Sequence, residues 1–293
     1  MGILDFLFPR TCIGCKKQGS YFCQNCVQNA KPHFPRAAGI APGDDWQVCP
    51  VCERPSPDGV RHSYCEKHQT ASGLHSIWVY EGTPRKLIIK LKYRFISDIA
   101  DELAETAANN LKNYKPLAGN PVWLSQKFTV VPIPLHWKRE NWRGFNQSEE
   151  LGKRIAQKMG WDFKNLLIRA KRTEHQVGLR GKARRENVQG VFSLSPNVLA
   201  IQRPNVLLFD DVWTTGATMK EAVKVLKESG IRRVWCLTLA RWRSLDQVLV
   251  VFHHKITIET IFWNIFVNVC SCIRRFVVKF STQFINLALG LWG

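Results

Sequence analysis

Two adjacent carboxylates, Asp210 and Asp211, stand just ahead of a run of small and hydroxylated residues, Thr214-Thr215-Gly216-Ala217-Thr218. Hydroxyls and unpaired backbone N–H groups at the start of a helix hold an anion, because the helix dipole favours negative charge there. Gly216 lets the backbone approach such a ligand closely. The carboxylates cannot bind a phosphate, but they suit the two hydroxyls of a ribose, or Mg²⁺ through water. Side by side, the two halves describe a site for a ribose 5-phosphate. The elements that must position them are also readable. Residues 206–209, Val-Leu-Leu-Phe, read as a buried parallel strand covered on both faces, with the carboxylates where it ends. After the turn, an apolar-periodic helix of roughly ten residues closes at Gly230. Two other readings compete. One is the Walker B strand of a nucleotide hydrolase, but the chain has no G-x-x-x-x-G-K-[ST]. The other is an acidic strand end whose threonines only cap a helix.

Ten cysteines are present, seven of them in the first 65 residues. Cys12-x-x-Cys15 and Cys23-x-x-Cys26 have zinc-ribbon spacing, each pair supplying two thiolates to a tetrahedral Zn²⁺. Cys49-x-x-Cys52 is a third knuckle, and Cys65-x-x-His68 completes a second, Cys₃His site. His62 and His33 read as surface histidines, with His62 the alternative to His68. An interleaved arrangement, Cys12/Cys15 sharing an ion with Cys49/Cys52, is the alternative to this sequential pairing. Disulfides would need an oxidising compartment, and the opening MGILDFLFPR has neither a long apolar core nor a cleavage site. The expected location is therefore cytoplasmic. This region is rich in Pro and Gly and poor in long apolar runs, so metal must supply its folding free energy. Filled ligand positions leave no open site for catalysis, which makes the module structural or a docking surface.

The net charge is +19 and is unevenly placed. Residues 1–68 carry 8 Lys/Arg against 6 Asp/Glu, and 244–293 carry 4 against 2. Residues 69–243 therefore hold 30 against 15, or +15. Zinc-bound thiolates lower the module further, to about −1. A basic central domain suits polyphosphate ligands and nucleic acid alike, and charge does not separate them.

Residues 74–241, about 170 in all, suffice for one α/β domain. Strands are expected at 76–80, 128–133, 166–169, 191–194, 206–209 and 234–239. Helices are expected after Thr83-Pro84, from Ser97 to about Tyr114, and from Asn146 to Gly160. Their alternation predicts a doubly wound, mostly parallel sheet behind a small zinc-binding module. Ligands in such sheets sit at the carboxyl ends of the strands, where Pro134 and Asp210 lie. The loop holding Pro134 could bind pyrophosphate through its N–H groups. Arg143 and Arg139 are phosphate partners by the fit of a guanidinium fork. Residues 171–187, with six Lys/Arg and two Glu, read as a mobile basic loop.

The Asp-Asp and Thr-Thr-Gly-Ala-Thr stretch resembles the signature of the type I phosphoribosyltransferases, which bind 5-phosphoribosyl-1-pyrophosphate (PRPP). The resemblance implies sugar-hydroxyl roles for Asp210 and Asp211 and 5-phosphate roles for Thr214 to Thr218. It also implies that the basic loop, with Arg184 and Arg185, closes over PRPP and neutralises the departing pyrophosphate. Three further blocks narrow the likeness: VVPIPLHWKRENWRGFNQS at 130–148, the run from Arg169 to Phe192, and Leu91-Lys92-Tyr93. With the knuckles, they resemble the ComF family of competence and DNA-utilisation proteins in its Gram-negative form, over roughly residues 5–241. That likeness implies a phosphoribosyltransferase-like domain at 74–243 behind a zinc module at 1–73. It also implies Mg²⁺ with PRPP, single-stranded DNA as a partner, and DNA-uptake or helicase proteins docking on the module. The rival reading is a metabolic phosphoribosyltransferase acting on a small base or amine, although no block here specifies a nucleobase. A zinc-scaffold adaptor with a dead catalytic fold is the third.

From about Ser244 onward the resemblance stops. Residues 256–273 form an apolar run of eighteen that contains Glu259. One central charge costs about 2.5–3.5 kcal/mol on insertion, which weighs against a span. The tail reads as a frameshifted or otherwise non-native end, as an interfacial or packing helix, or as a span. Only a native tail would bring the chain to the inner face of a membrane.

Overall fold

The computed structural model describes residues 9–32, 47–93, 97–115, 126–135, 137–169, 189–196 and 205–242. The basic loop with Arg184 and Arg185, and the tail from residue 243, lie outside them. Among the described residues no helix is long and apolar enough to cross a membrane.

Five strands form one parallel sheet: β1 (Gly73–Val79), β2 (Thr129–Pro132), β3 (Asp162–Phe163), β6 (Val206–Trp213) and β7 (Val234–Arg241). Their order is β1-β7-β6-β2-β3, and each pairing is parallel. The central strands are apolar on both faces, as a sheet covered on both sides requires. Helices α2 (Gly82–Tyr93), α3 (Ser97–Lys112) and α5 (Gln147–Met159) cover one face, burying Leu87, Ile99, Leu103 and Ile155 against Ile77, Leu207 and Leu237. Helix α6 (Ala217–Glu228) covers the other, with Met219, Ala222 and Leu226 against Val131, Leu208 and Cys236. The doubly wound reading therefore holds. Helix α4 (Trp137–Arg143) follows β2, and α5 is capped as its sequence signals. Asn146 accepts from the Ser148 N–H at its start, and Gly160 closes its end with φ 68°.

Strands β4 (Leu167–Arg169) and β5 (Phe192–Leu194) depart from the expected sheet. They pair antiparallel with each other, as a separate ribbon. The basic loop connects the two, and the ribbon packs on α6 through Leu167, Val191 and Phe192.

The cysteine-rich segment is built from a repeated turn. In the knuckles that open at Cys12 and Cys49 the first cysteine accepts from the residue four on, Lys16 to Cys12 and Glu53 to Cys49, both at 2.9 Å. It also donates to the residue five on, Lys17 or Arg54. Lys16 and Glu53 take the same left-handed backbone, φ 67° and 59°. The short helix α1 (Gln24–Gln28) carries Cys26. The two halves attach to opposite faces of the sheet. Cys12, Phe22 and Cys26 join the core under α2 and α3, with Phe22 edge-on to Trp78, whereas Val48 and Ala71 join the core under α6. Glu102 of α3 locks the first half in place by accepting from the Tyr21 and Phe22 N–H groups at 2.7 and 2.9 Å. Two described points of the segment border β1. Pro32 bridges to Trp78, and Val60 bridges to Gly73.

Candidate functional site

The carboxyl ends of β6 and β2 build the site. β2 ends at Pro132, opposite Phe209, but β6 runs on to Trp213 while still paired to β7. The strand thus continues through the carboxylates where an end was expected. Beyond Phe209, β6 is paired on one side only, which leaves Asp210 open towards the start of α5. Ser148 donates to Asp210 Oδ1 at 2.8 Å. Asn146 holds Ser148 in place and donates to the Ile133 carbonyl at 3.1 Å, so it links α5 to β2 as well as capping α5. Arg143 reaches this group indirectly, with its guanidinium 3.1 Å from Gln147 Oε1. Pro134 lies half-buried just past β2, and the side chain of Arg139 is outside the described residues.

Asp211 is held by a residue to which sequence reasoning assigned no role. Lys92 Nζ lies 2.8 Å from Asp211 Oδ2. Burial pulls the Lys92 ammonium down, but Asp211, and then Asp210 and Tyr80, raise it above the ordinary lysine value. The available signal was its place on α2, one helical turn after buried Ile88. With Lys92 on Asp211, Asp210 is the carboxylate of the two without an ion pair among the described residues.

Asp210 is raised to about 7, by burial first and by the Asp211 charge second, against the Ser148 hydrogen bond and Lys92. A carboxyl raised on folding contributes stability that is complete below its unfolded value, near 4, and lost as pH climbs through about 7. Asp210→Asn keeps the neutral shape at every pH. The variant should match wild type near pH 3.5, pull ahead of it as pH rises, and exceed it by pH 8, by at most roughly 4 kcal/mol given partial exposure. Chemical denaturation across that range measures the gap. A gap that does not widen with pH would contradict the assigned ionisation.

The turn expected to hold a phosphate leads into an uncapped helix start. Gly216 caps α6 with φ 65°, and no side chain caps the helix. Its first-turn amides therefore remain for a ligand. Among the described residues the hydroxyls of Thr214, Thr215 and Thr218 have no hydrogen-bond partner. A Cβ on Gly216 would fall 2.1 Å from the Trp213 ring, so the turn lies flat against the indole. Trp213 is 2% exposed and its Nε1 has no partner, a buried donor left beside the cradle. The sequence pointed to this cradle but not to Trp213 as its floor. The ribbon that carries the basic loop reaches α6 here, Gly190 N–H donating to Glu221 Oε1 at 2.7 Å.

Two sulfur-rich clusters fit zinc. Cys12, Cys15, Cys23 and Cys26 bring their Sγ atoms within 4.8 Å of one another, and Cys49, Cys52, His62 and Cys65 do the same. The pairing is sequential, not interleaved. Burial alone would raise the Cys12 thiol, yet backbone N–H groups of Cys15, Cys23 and Gly14 lower it to about 6, whereas burial and the neighbouring thiols push Cys26 up to about 12. The fourth ligand of the second cluster is corrected from His68 to His62. A tight turn, Ser63–Cys65, sets His62 and Cys65 side by side, the counterpart of Cys23 and Cys26. His62 Nδ1 lies 3.3 Å from Cys52 Sγ, while Nε2 faces the Pro55 carbonyl at 3.2 Å. A metal on Nδ1 leaves Nε2–H to donate to that carbonyl, the usual orientation of a ligating histidine. The chain then turns away, and His68 ends up exposed.

No protein-family model matches the chain. It is 31% identical over 216 residues to "DNA utilization protein YhgH" of Salmonella typhi, covering 66% of this chain and 90% of that protein. It is 34% identical over 113 residues to "Competence protein F" of Haemophilus influenzae, covering 38% and 49%. Among solved structures it is similar to an adenine phosphoribosyltransferase from Leishmania tarentolae, with TM-score 0.28, 14% identity and coverage of 51% and 72%. The chain belongs to the ComF family, that of DNA utilization protein YhgH and competence protein F.

Proposed function

We propose that the protein binds a ribose 5-phosphate ligand of the PRPP type together with Mg²⁺, binds single-stranded DNA, and serves DNA uptake or DNA utilisation. The observation that carries the first part is the pairing of an uncapped helix start, floored by Trp213, with Asp210 and the Lys92–Asp211 pair at one strand end. The cradle takes the 5-phosphate, Asp210 takes ribose hydroxyls or Mg²⁺-bound water, and Lys92 pairs with Asp211 beside it. The names of its relatives and the +15 of residues 69–243 support the DNA part. The zinc module serves structure and docking.

Calorimetric titration of PRPP with Mg²⁺ into wild type tests the small-molecule part. Thr215→Val combined with Thr218→Val removes two hydroxyl donors to a charged group at nearly constant volume. The loss should be roughly 1.5–3 kcal/mol per hydrogen bond, so affinity falls by at least a hundredfold. Both side chains are partly exposed at the turn, so the fold should survive. Equal affinity in wild type and double variant would remove the cradle from the reading. Binding of a free nucleobase without PRPP or DNA would favour small-molecule metabolism instead.

A further inference from the structure

Along α6, beside its packed face, runs a cleft that leads away from the ribose-phosphate site. One stretch, of about 510 Å³, begins at Ala217 in the cradle and lies between Lys220 and Lys224 of α6 and the turn carrying Lys67 and His68. A second stretch, of about 320 Å³, continues from the same Lys67 and His68 to Lys227 and Arg232 at the far end of the helix, with Arg61 on the opposite wall. One wall therefore belongs to the α/β sheet layer, the other to the segment that follows the second metal cluster.

The carboxylates around this cleft are engaged. Glu66 pairs with Arg61, Glu53 with Lys220 at 2.6 Å, Glu221 accepts from the Gly190 amide, and Glu228 from Gln69. Lys67, Lys224 and Arg232 have no carboxylate partner among the described residues. Across the second stretch, like charges face each other. Burial first, and then Arg61, hold the Lys227 ammonium below its ordinary value. Cations facing one another over open space, with the nearby acids already paired, leave a positive channel that a chain of phosphates would neutralise. Twelve residues of helix extend the channel about 18 Å.

We infer that this cleft is the path of a single-stranded DNA backbone, running from the ribose-phosphate cradle along α6 and closed on its other side by the turn after the second metal cluster. The inference rests on the DNA part of the proposed function and gives the module a direct share in the binding surface. It explains why Lys67 and His68, outside any metal site, project over a helix of the catalytic-type domain.

The test uses the full chain and a fluorescent oligodeoxythymidylate, with affinity measured across a salt series. The variant combines Lys67→Ala, Lys224→Ala and Arg232→Ala. The control removes three exposed cations from the opposite layer, Lys86, Lys90 and Lys153, each to Ala. Losing three phosphate contacts should lower the slope of log affinity against log salt by about 2 and weaken binding at low salt at least about tenfold. The control should remain near wild type in both, and PRPP binding should be equal in all three proteins. If wild type binds no oligonucleotide, the DNA reading itself fails and takes the inference with it. If wild type binds and the cleft variant matches it in slope and affinity, or the control falls as far, the path lies elsewhere. Stronger capture of duplex than of single strand would likewise overturn it.

Discussion

Purified protein should carry close to two Zn²⁺ per chain, and stripping the metal, or replacing Cys12 and Cys15 with Ser, should unfold more than the first knuckle. Structural zinc contributes roughly 10–16 kcal/mol to small metal-folded modules, as much as the whole 5–15 kcal/mol of an ordinary domain. The first cluster has no separate core to fall back on. Cys12, Phe22 and Cys26 are buried with Trp78, Leu87 and Ile99 under the sheet's helices. Its loss also takes away the two N–H groups that Glu102 accepts inside α3. Metal analysis together with far-UV circular dichroism on heating reads the outcome. Cys49→Ser with Cys52→Ser should keep one ion. Metal-free protein with an unchanged melting transition would refute the zinc assignment.

Gly216→Val should be the most damaging single change at the ribose-phosphate site. A left-handed backbone at a β-branched residue costs roughly 1–3 kcal/mol, and forcing a side chain into the Trp213 ring costs a similar amount. Together these approach 2–6 kcal/mol, and relief requires the turn to lift off the indole. PRPP affinity should then be lost in any protein that still folds, whereas Thr215→Val with Thr218→Val only weakens it. Thermal unfolding and calorimetry on the two variants separate the effects. Wild-type PRPP affinity in a folded Gly216→Val protein would show that the ligand does not rest on this turn.

The site was legible where it depends on contiguous residues. Strand, carboxylates, turn and helix follow in order from 206 to 228, and the knuckles declare themselves by spacing. What remained hidden depends on partners distant in sequence. Whether β6 stops at Phe209 or runs to Trp213 is decided by the lengths of β2 and β7, not by its own residues. Cys65 has a histidine three residues away on each side, so spacing offers His62 and His68 equally, and only the Ser63–Cys65 turn chooses between them. Lys92 lies 119 positions from the Asp211 that it pairs with, and its place one turn after Ile88 on α2 marks it as near the core without naming its partner. β4 and β5 were visible as apolar runs. Their antiparallel pairing across a long connection is a tertiary fact.

The strip of chain along β1 has a consequence beyond metal binding. β1 is the outermost strand of the sheet, and its free side is met by Pro32 at one end and Val60 at the other, with the Val79 N–H given to Lys31 and the Arg61 N–H to Ser72. A bare outer strand of buried, apolar residues is a template on which another chain can add its own. A protein lacking its first 72 residues would present such a template from Gly73 to Val79. Loss of the cysteine segment, by cleavage or by zinc starvation, therefore points towards self-association of the α/β half. In that event the segment's cover of β1 is a guard against aggregation, separate from the ligands it offers a metal.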